Sequence, residues 1–176
     1  MDSLEDIERM VSACTDCSLS TGRTNAVPGE GPGDSEIMFI GEGPGLQEDQ
    51  QGRPFVGASG RVLERLLASI GIGRKDVFIS NVVKCRPPNN RDPLPDEVSA
   101  CRKYLDRQID LIRPRIIVTL GRHSMARFIP NQSIGRVRGK VRQVEGKQGI
   151  KGKFSLNSFS CRNVSNRRGF RWLSTT

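Results

Sequence analysis

The sequence predicts an α/β domain: a parallel sheet with helices on both faces. Three observations lead there. Three short apolar runs, at residues 37–40, 77–83 and 115–120, have strand length. The stretches between and after them carry helical signals. Strand and helix therefore alternate, and that alternation favours parallel pairing. A chain of 176 residues, 35% hydrophobic and 27% charged, suffices for one packed core.

Residues 3–13 read as a helix, because Ser3 can cap it and Asp6 stands three positions on. Residues 14–33 are rich in turn formers. Ile37-Met38-Phe39-Ile40 ends at Gly41 and reads as a buried strand. Residues 41–57 are dense in Gly and Pro and read as a loop. From Ala58 to Ile70, Val62, Leu63, Leu66, Leu67 and Ile70 repeat at helical spacing. Residues 77–83 form the second strand, and the proline-rich segment from Arg86 is a polar loop. Pro95 suits the first turn of a helix running to about Ile112. Residues 115–120 form the third strand, and 123–129 a short helix closed by Pro130. No strand or helix period continues beyond Phe154. Residues 151–176 read as an atypical basic tail after a domain of residues 1–150.

The net charge is +9, and its distribution matters more than its size. Residues 1–150 hold 22 Lys and Arg against all 19 acids, whereas the last 26 residues hold six basic residues and no acid. Nucleic acid is the partner such a balance suggests, chiefly through the tail. No apolar run has the length of a membrane span, so no membrane role is expected. The acidic start lacks the apolar stretch of a secretory leader. A cytoplasmic monomer is expected, where five cysteines do not serve as structural disulfides.

Cys14 and Cys17 form a C-x2-C pair in a polar loop. Cys85 follows the second strand, and Cys101 lies in the long helix. Four thiolates suit either zinc or an iron–sulfur cluster, and spacing alone leaves both open. Cys161 stands apart in the tail. In open α/β sheets ligands sit at the carboxyl ends of the strands, which selects the loops after Ile40 and Val83. Gly41-Glu42-Gly43-Pro44-Gly45 matches neither a dinucleotide fingerprint nor a Walker loop. Gly41 and Gly43 let the backbone approach a flat ligand, and Glu42 between them can orient or deprotonate a water. Glu48 and Asp49 read equally as solvated loop charges. Phe55, framed by Gly52 and Gly57, is a stacking platform or a core residue. Asn81 near a strand end can accept from and donate to adjacent groups on one ligand edge, a pattern matching N3–H and O4 of uracil. Cytosine reverses both polarities.

These segments together resemble the iron–sulfur, or family 4, uracil-DNA glycosylases. The likeness rests on Cys14-x2-Cys17, Val27-Pro28-Gly29-Glu30-Gly31-Pro32, Gly41 to Gly45, Gly52-Arg53-Pro54-Phe55-Val56-Gly57, Asn81 through Pro88, Asn90-Arg91 with Cys101, and Val137-Arg138-Gly139-Lys140. It covers roughly residues 1–150. It implies a three-layer α/β/α fold with a four-stranded parallel sheet. It implies hydrolysis of the N-glycosidic bond of deoxyuridine in single- or double-stranded DNA, the first step of base excision repair. Cys14, Cys17, Cys85 and Cys101 would ligate a [4Fe–4S] cluster. Gly41, Glu42 and Gly43 would line the uracil and water sites, Phe55 would stack, and Asn81 would read the edge. Arg86, Arg91, Arg138 and Lys140 are the expected phosphate contacts.

The family's second catalytic motif, a His-Pro near the C-terminus, has no counterpart here. The one histidine, His123, follows the third strand and reads as a packing residue. A frame change near residues 150–153 would account for the acid-free tail. Two alternatives stand beside the enzyme: a folded, nearly inactive uracil- or DNA-binding remnant, and a zinc-stabilised nucleic-acid-binding module.

Overall fold

Ser3 caps the first helix with its hydroxyl while Asp6 returns a bond to the Ser3 amide, and α1 (Leu4–Ala13) follows as the sequence predicts. The computed structural model describes residues 3–143 and the backbone of residues 144–145 and 153–159. The elements after α1 are α2 (Leu19–Gly22), β1 (Ile37–Gly41), α3 (Leu46–Gln51), α4 (Ala58–Ser69), β2 (Phe78–Asn81), α5 (Pro95–Ile112), β3 (Ile116–Leu120), α6 (Arg122–Ala126), α7 (Ile134–Val137), β4 (Arg142–Glu145) and β5 (Lys153–Phe159). Short 3-10 turns at Arg74–Asp76 and Pro88–Asn90 flank β2 and its loop. Among the described residues no helix is long and apolar enough to cross a membrane.

The strand order is β2-β1-β3-β5-β4. β2, β1, β3 and β5 run parallel, which meets the expected four-stranded parallel sheet. A fifth strand, β4, pairs antiparallel with β5 at the edge. Two expectations need correction. β5 continues to Phe159, where no strand period was expected past Phe154. Its Ser and Asn residues hide it, because a strand's pairing with β3 is non-local and does not need an apolar run. The rest of the tail, with Cys161, lies outside the described residues. Residues 41–57 are not one loop either, since α3 interrupts them.

Both faces of the sheet are packed, so β1 is apolar at nearly every position rather than alternating. Met38, Ile40 and Ile117 join Ile7 and Val11 of α1 and Leu105 and Ile109 of α5 on one face. Phe39 and Val118 meet Leu63 and Leu67 of α4 on the other. These are the three layers. In register, Gly41 stands opposite Asn81, so the ends of β1 and β2 lie side by side.

Candidate active site

A cavity of about 230 Å³ opens at the carboxyl ends of β1 and β2. Its walls come from the Glu42–Gly45 turn, Phe55, Asn81 and the Pro87–Pro93 loop. Gly41 makes the arrangement possible. A Cβ there would lie 2.6 Å from the Phe55 ring and would also overlap the Asn81 amide oxygen. Only glycine lets the ring and the amide converge across this strand end. At Gly43 a Cβ would sit 2.8 Å from Val83 Cγ2.

Asn81 is 1% exposed, and among the described residues its Oδ1 has no hydrogen-bond partner. A buried acceptor needs a partner, and this one is the atom on the cavity wall that a water or a ligand N–H can meet. The backbone behind it is fixed. Lys84, fully buried, directs its ammonium to the Asn81 carbonyl (3.0 Å), Ser80 Oγ (2.5 Å) and Gln108 Oε1 (2.8 Å). Burial pulls the Lys84 pKa down to about 8.

Glu42 accepts the His123 backbone N–H on Oε1 at 3.0 Å. Its carboxylate packs on Gly121, where a Cβ would stand 2.5 Å from Oε1. The sequence reading left His123 outside the site; its amide, not its ring, is what anchors Glu42. The ring lies 3.8 Å from Asp92.

Phe55 is buried in a left-handed conformation, φ +52°, a strained region for an aromatic residue. Its carbonyl packs so closely on Gly60 that a Cβ there would overlap it. Glu48, which spacing alone could not separate from a solvated loop charge, is buried and structural. Its Oε1 accepts from the amides of Val56 (2.9 Å) and Gly57 (2.8 Å), and its Oε2 from Gly45 (3.1 Å). Asp49, 2% exposed, takes the Thr24 amide on both oxygens. The readable signal was a Glu three positions after Gly45, whose carboxylate accepts the Gly45 amide as the N3 residue does in a capping box.

The four cysteines lie in or against one core, apart from the cavity. Cys85 and Cys101 are buried in the α1–α5 core, with Cys14 and Cys17 packed against it. Burial raises the Cys85 thiol pKa, opposed by Arg23, whose Nη1 donates to its sulfur at 3.0 Å. Burial pushes Cys101 up to about 11, although the Lys84 amide donates to its sulfur at 3.2 Å. Cys14 and Cys17 lie near enough to act on Cys85 electrostatically, as Cys17 and Cys85 act on Cys101. Among the described residues no three Cys, His, Asp or Glu side chains close on one metal-ion position.

The expected phosphate contacts spread over two loops. Arg86 is half-buried beside the pocket, its Nε bonded to Asn90 Oδ1 at 2.8 Å. Arg91 lines the cavity, but its guanidinium already forms a two-pronged pair with buried Glu97 (2.9 and 2.6 Å). Arg138 and Lys140 are exposed just after α7.

Comparison with known proteins supplies the wider context. The sequence model of the Uracil DNA glycosylase superfamily matches residues 28–173, extending beyond the 1–150 span of the motifs. A type-4 uracil-DNA glycosylase of Sulfurisphaera tokodaii is 58% identical over 146 residues, 80% of this chain and 66% of that protein. One of Archaeoglobus fulgidus is 54% identical over 151 residues, 82% of this chain and 75% of its own. One of Thermotoga maritima is 51% identical over 138 residues, 77% and 72% respectively. The match thus spans about two thirds to three quarters of these relatives' lengths.

Proposed function

The chain belongs to the type-4 uracil-DNA glycosylases of the Uracil DNA glycosylase superfamily, and from that premise we propose that it hydrolyses the N-glycosidic bond of deoxyuridine in DNA. The observation that carries this is the buried, empty Oδ1 of Asn81 beside the Phe55 ring. The target nucleotide leaves the stack and enters the cavity. Phe55 stacks on the base. Asn81 Oδ1 accepts from uracil N3–H while its amide donates to O4, and cytosine would present both groups reversed.

The C1′–N1 bond then breaks heterolytically, its electron pair leaving with the uracil anion. Water attacks C1′, its oxygen forms the new bond, and Glu42 takes its proton. The His123 amide on Oε1 keeps that carboxylate in place. The uracil anion takes a proton from solvent as Glu42 returns its own there, and the products are free uracil and an abasic site. Arg86, Arg138 and Lys140 supply phosphate contacts, while Arg91, paired to Glu97, shapes the rim more than it binds DNA. The chain acts as a cytoplasmic monomer.

Cys14, Cys17, Cys85 and Cys101 would hold a [4Fe–4S] cluster. Two of these thiols lie in one core and two pack against it, and Arg23 and the Lys84 amide donate to sulfur there, a donor set that suits thiolates spread over a cubane better than one small ion. Its contribution when bound is structural, joining the end of α1, the β2 loop and α5.

The test is incubation of the chain, purified without oxygen, with a single-stranded oligonucleotide containing one uracil. Abasic-site formation that Asn81→Ala lowers by at least about tenfold supports the reading. A second reading, a binding remnant of little activity, follows from the absence of any histidine after His123. Folded, brown protein that binds uracil without excising it would favour that reading and overturn the first.

A further inference from the structure

We propose that Arg74 is a positioning residue for Phe55, with Glu30 setting its direction; this rests on the glycosylase reading of the cavity. The Arg74 guanidinium donates from Nη1 to the Phe55 carbonyl at 2.9 Å and from Nη2 to the Pro54 carbonyl. Those two carbonyls belong to the peptide planes on either side of the Phe55 Cα. Holding both planes fixes φ and ψ at Phe55, and so fixes where its Cβ points. The residue most needs this, because its φ of +52° is one an aromatic side chain disfavours. The ring then lies against Gly41 and forms part of the cavity wall.

Arg74 is itself constrained. Its side chain is 16% exposed, in the turn leading into β2. Its Nε donates to Glu30 Oε1 at 3.2 Å. Glu30 is set between Gly29 and Gly31, both at positive φ, and its backbone pairs with Ile79 of β2. Arg53, two residues before Phe55, closes a two-pronged pair with the same carboxylate at 2.8 Å. A carboxylate on one side of β2 thus sets a guanidinium that sets an aromatic ring. Neither Glu30 nor Arg74 lines the cavity.

The test uses Arg74→Gln, Arg74→Lys and Glu30→Gln in the full chain. Single-turnover excision and inhibition by free uracil are measured, with and without Phe55→Ala. A misplaced stacking ring should slow Arg74→Gln by about ten- to a hundredfold and weaken uracil inhibition. Binding of undamaged DNA should stay within about twofold. Glu30→Gln should shift both quantities the same way by less, and Arg74→Lys should recover part of the loss. In the Phe55→Ala background, Arg74→Gln should add almost nothing, because both act through one ring. Additive losses, or melting changes with unaltered excision and uracil inhibition, would overturn the positioning role. Should Arg74→Gln fail to fold, Arg74→Lys carries the same cycle. A parent chain that neither excises nor binds uracil overturns the glycosylase reading itself, which separates the two failures.

Discussion

At the scale of single residues, the site depends on groups whose ordinary preferences are overridden. Phe55 adopts a glycine-like φ, Asn81 buries an unfilled acceptor, and Glu30 loses a proton far more readily than a free carboxyl. The Arg53 hydrogen bond, and then Arg74, holds the Glu30 pKa at about 2, against an ordinary 4.5. A lowered carboxyl pKa stabilises the fold fully above the unfolded value, and the gain disappears as pH falls through the folded one. Glu30→Gln should therefore cost on the order of 1 kcal/mol at pH 7, a modest figure because the group is one-third exposed and screened. The difference in urea midpoint between parent and variant should shrink between pH 4.5 and about pH 2; a gap unchanged across that window would contradict it. The motif around Glu30 was visible in the sequence, but its pairing with Arg74, 44 positions away, was not. Side-chain partners distant in sequence leave no local pattern.

At the scale of elements, strong periodicity or a good cap made a segment readable. α1, α4 and α5 lie within a residue or so of expectation, α5 starting at Pro95 as its missing N–H allows. α3 was missed because six residues show no period and the surrounding Gly and Pro read as loop. It is nevertheless the element that assembles the site loops. Glu48→Ala would leave the Gly45, Val56 and Gly57 amides without their acceptor. Stability should fall by roughly 2–4 kcal/mol, since hydrogen bonds to a charged acceptor are among the stronger ones. Excision should slow as well, because the same bonds order the chain just after Phe55. Chemical denaturation and single-turnover rates check both, and an unchanged midpoint would remove Glu48 from this role.

At the scale of the whole molecule, two centres share one scaffold. Lys84 lies between them: its ammonium holds the Asn81 carbonyl, while its amide donates to Cys101. Loss of one thiol should thus be felt at the base pocket. With Cys101 as a ligand of the proposed cluster, Cys101→Ser should abolish the visible absorbance and bound iron, lower the melting temperature by several degrees, and reduce excision. Full iron content in that variant would remove Cys101 from the ligand set. The spacing of Cys14, Cys17, Cys85 and Cys101 singled out these four thiols but left their partner open, and the fold explains how such distant positions share one region: α1 packs on α5, and Cys85 directly follows Lys84, whose amide bonds to Cys101 on α5.

The order β2-β1-β3-β5-β4 also has a temporal meaning. Among the described residues, those lining the cavity lie between Glu42 and Pro93, and the three strands β2, β1 and β3 end by Leu120. β4 and β5 follow these residues in the chain. What they cover is the free edge of Ile116–Leu120, a β-branched, apolar ribbon that would otherwise be open to any passing chain. During synthesis there is accordingly an interval in which the pocket can already form while that edge is still bare. It is then, rather than in the finished protein, that the molecule is most exposed to sticking to its own copies.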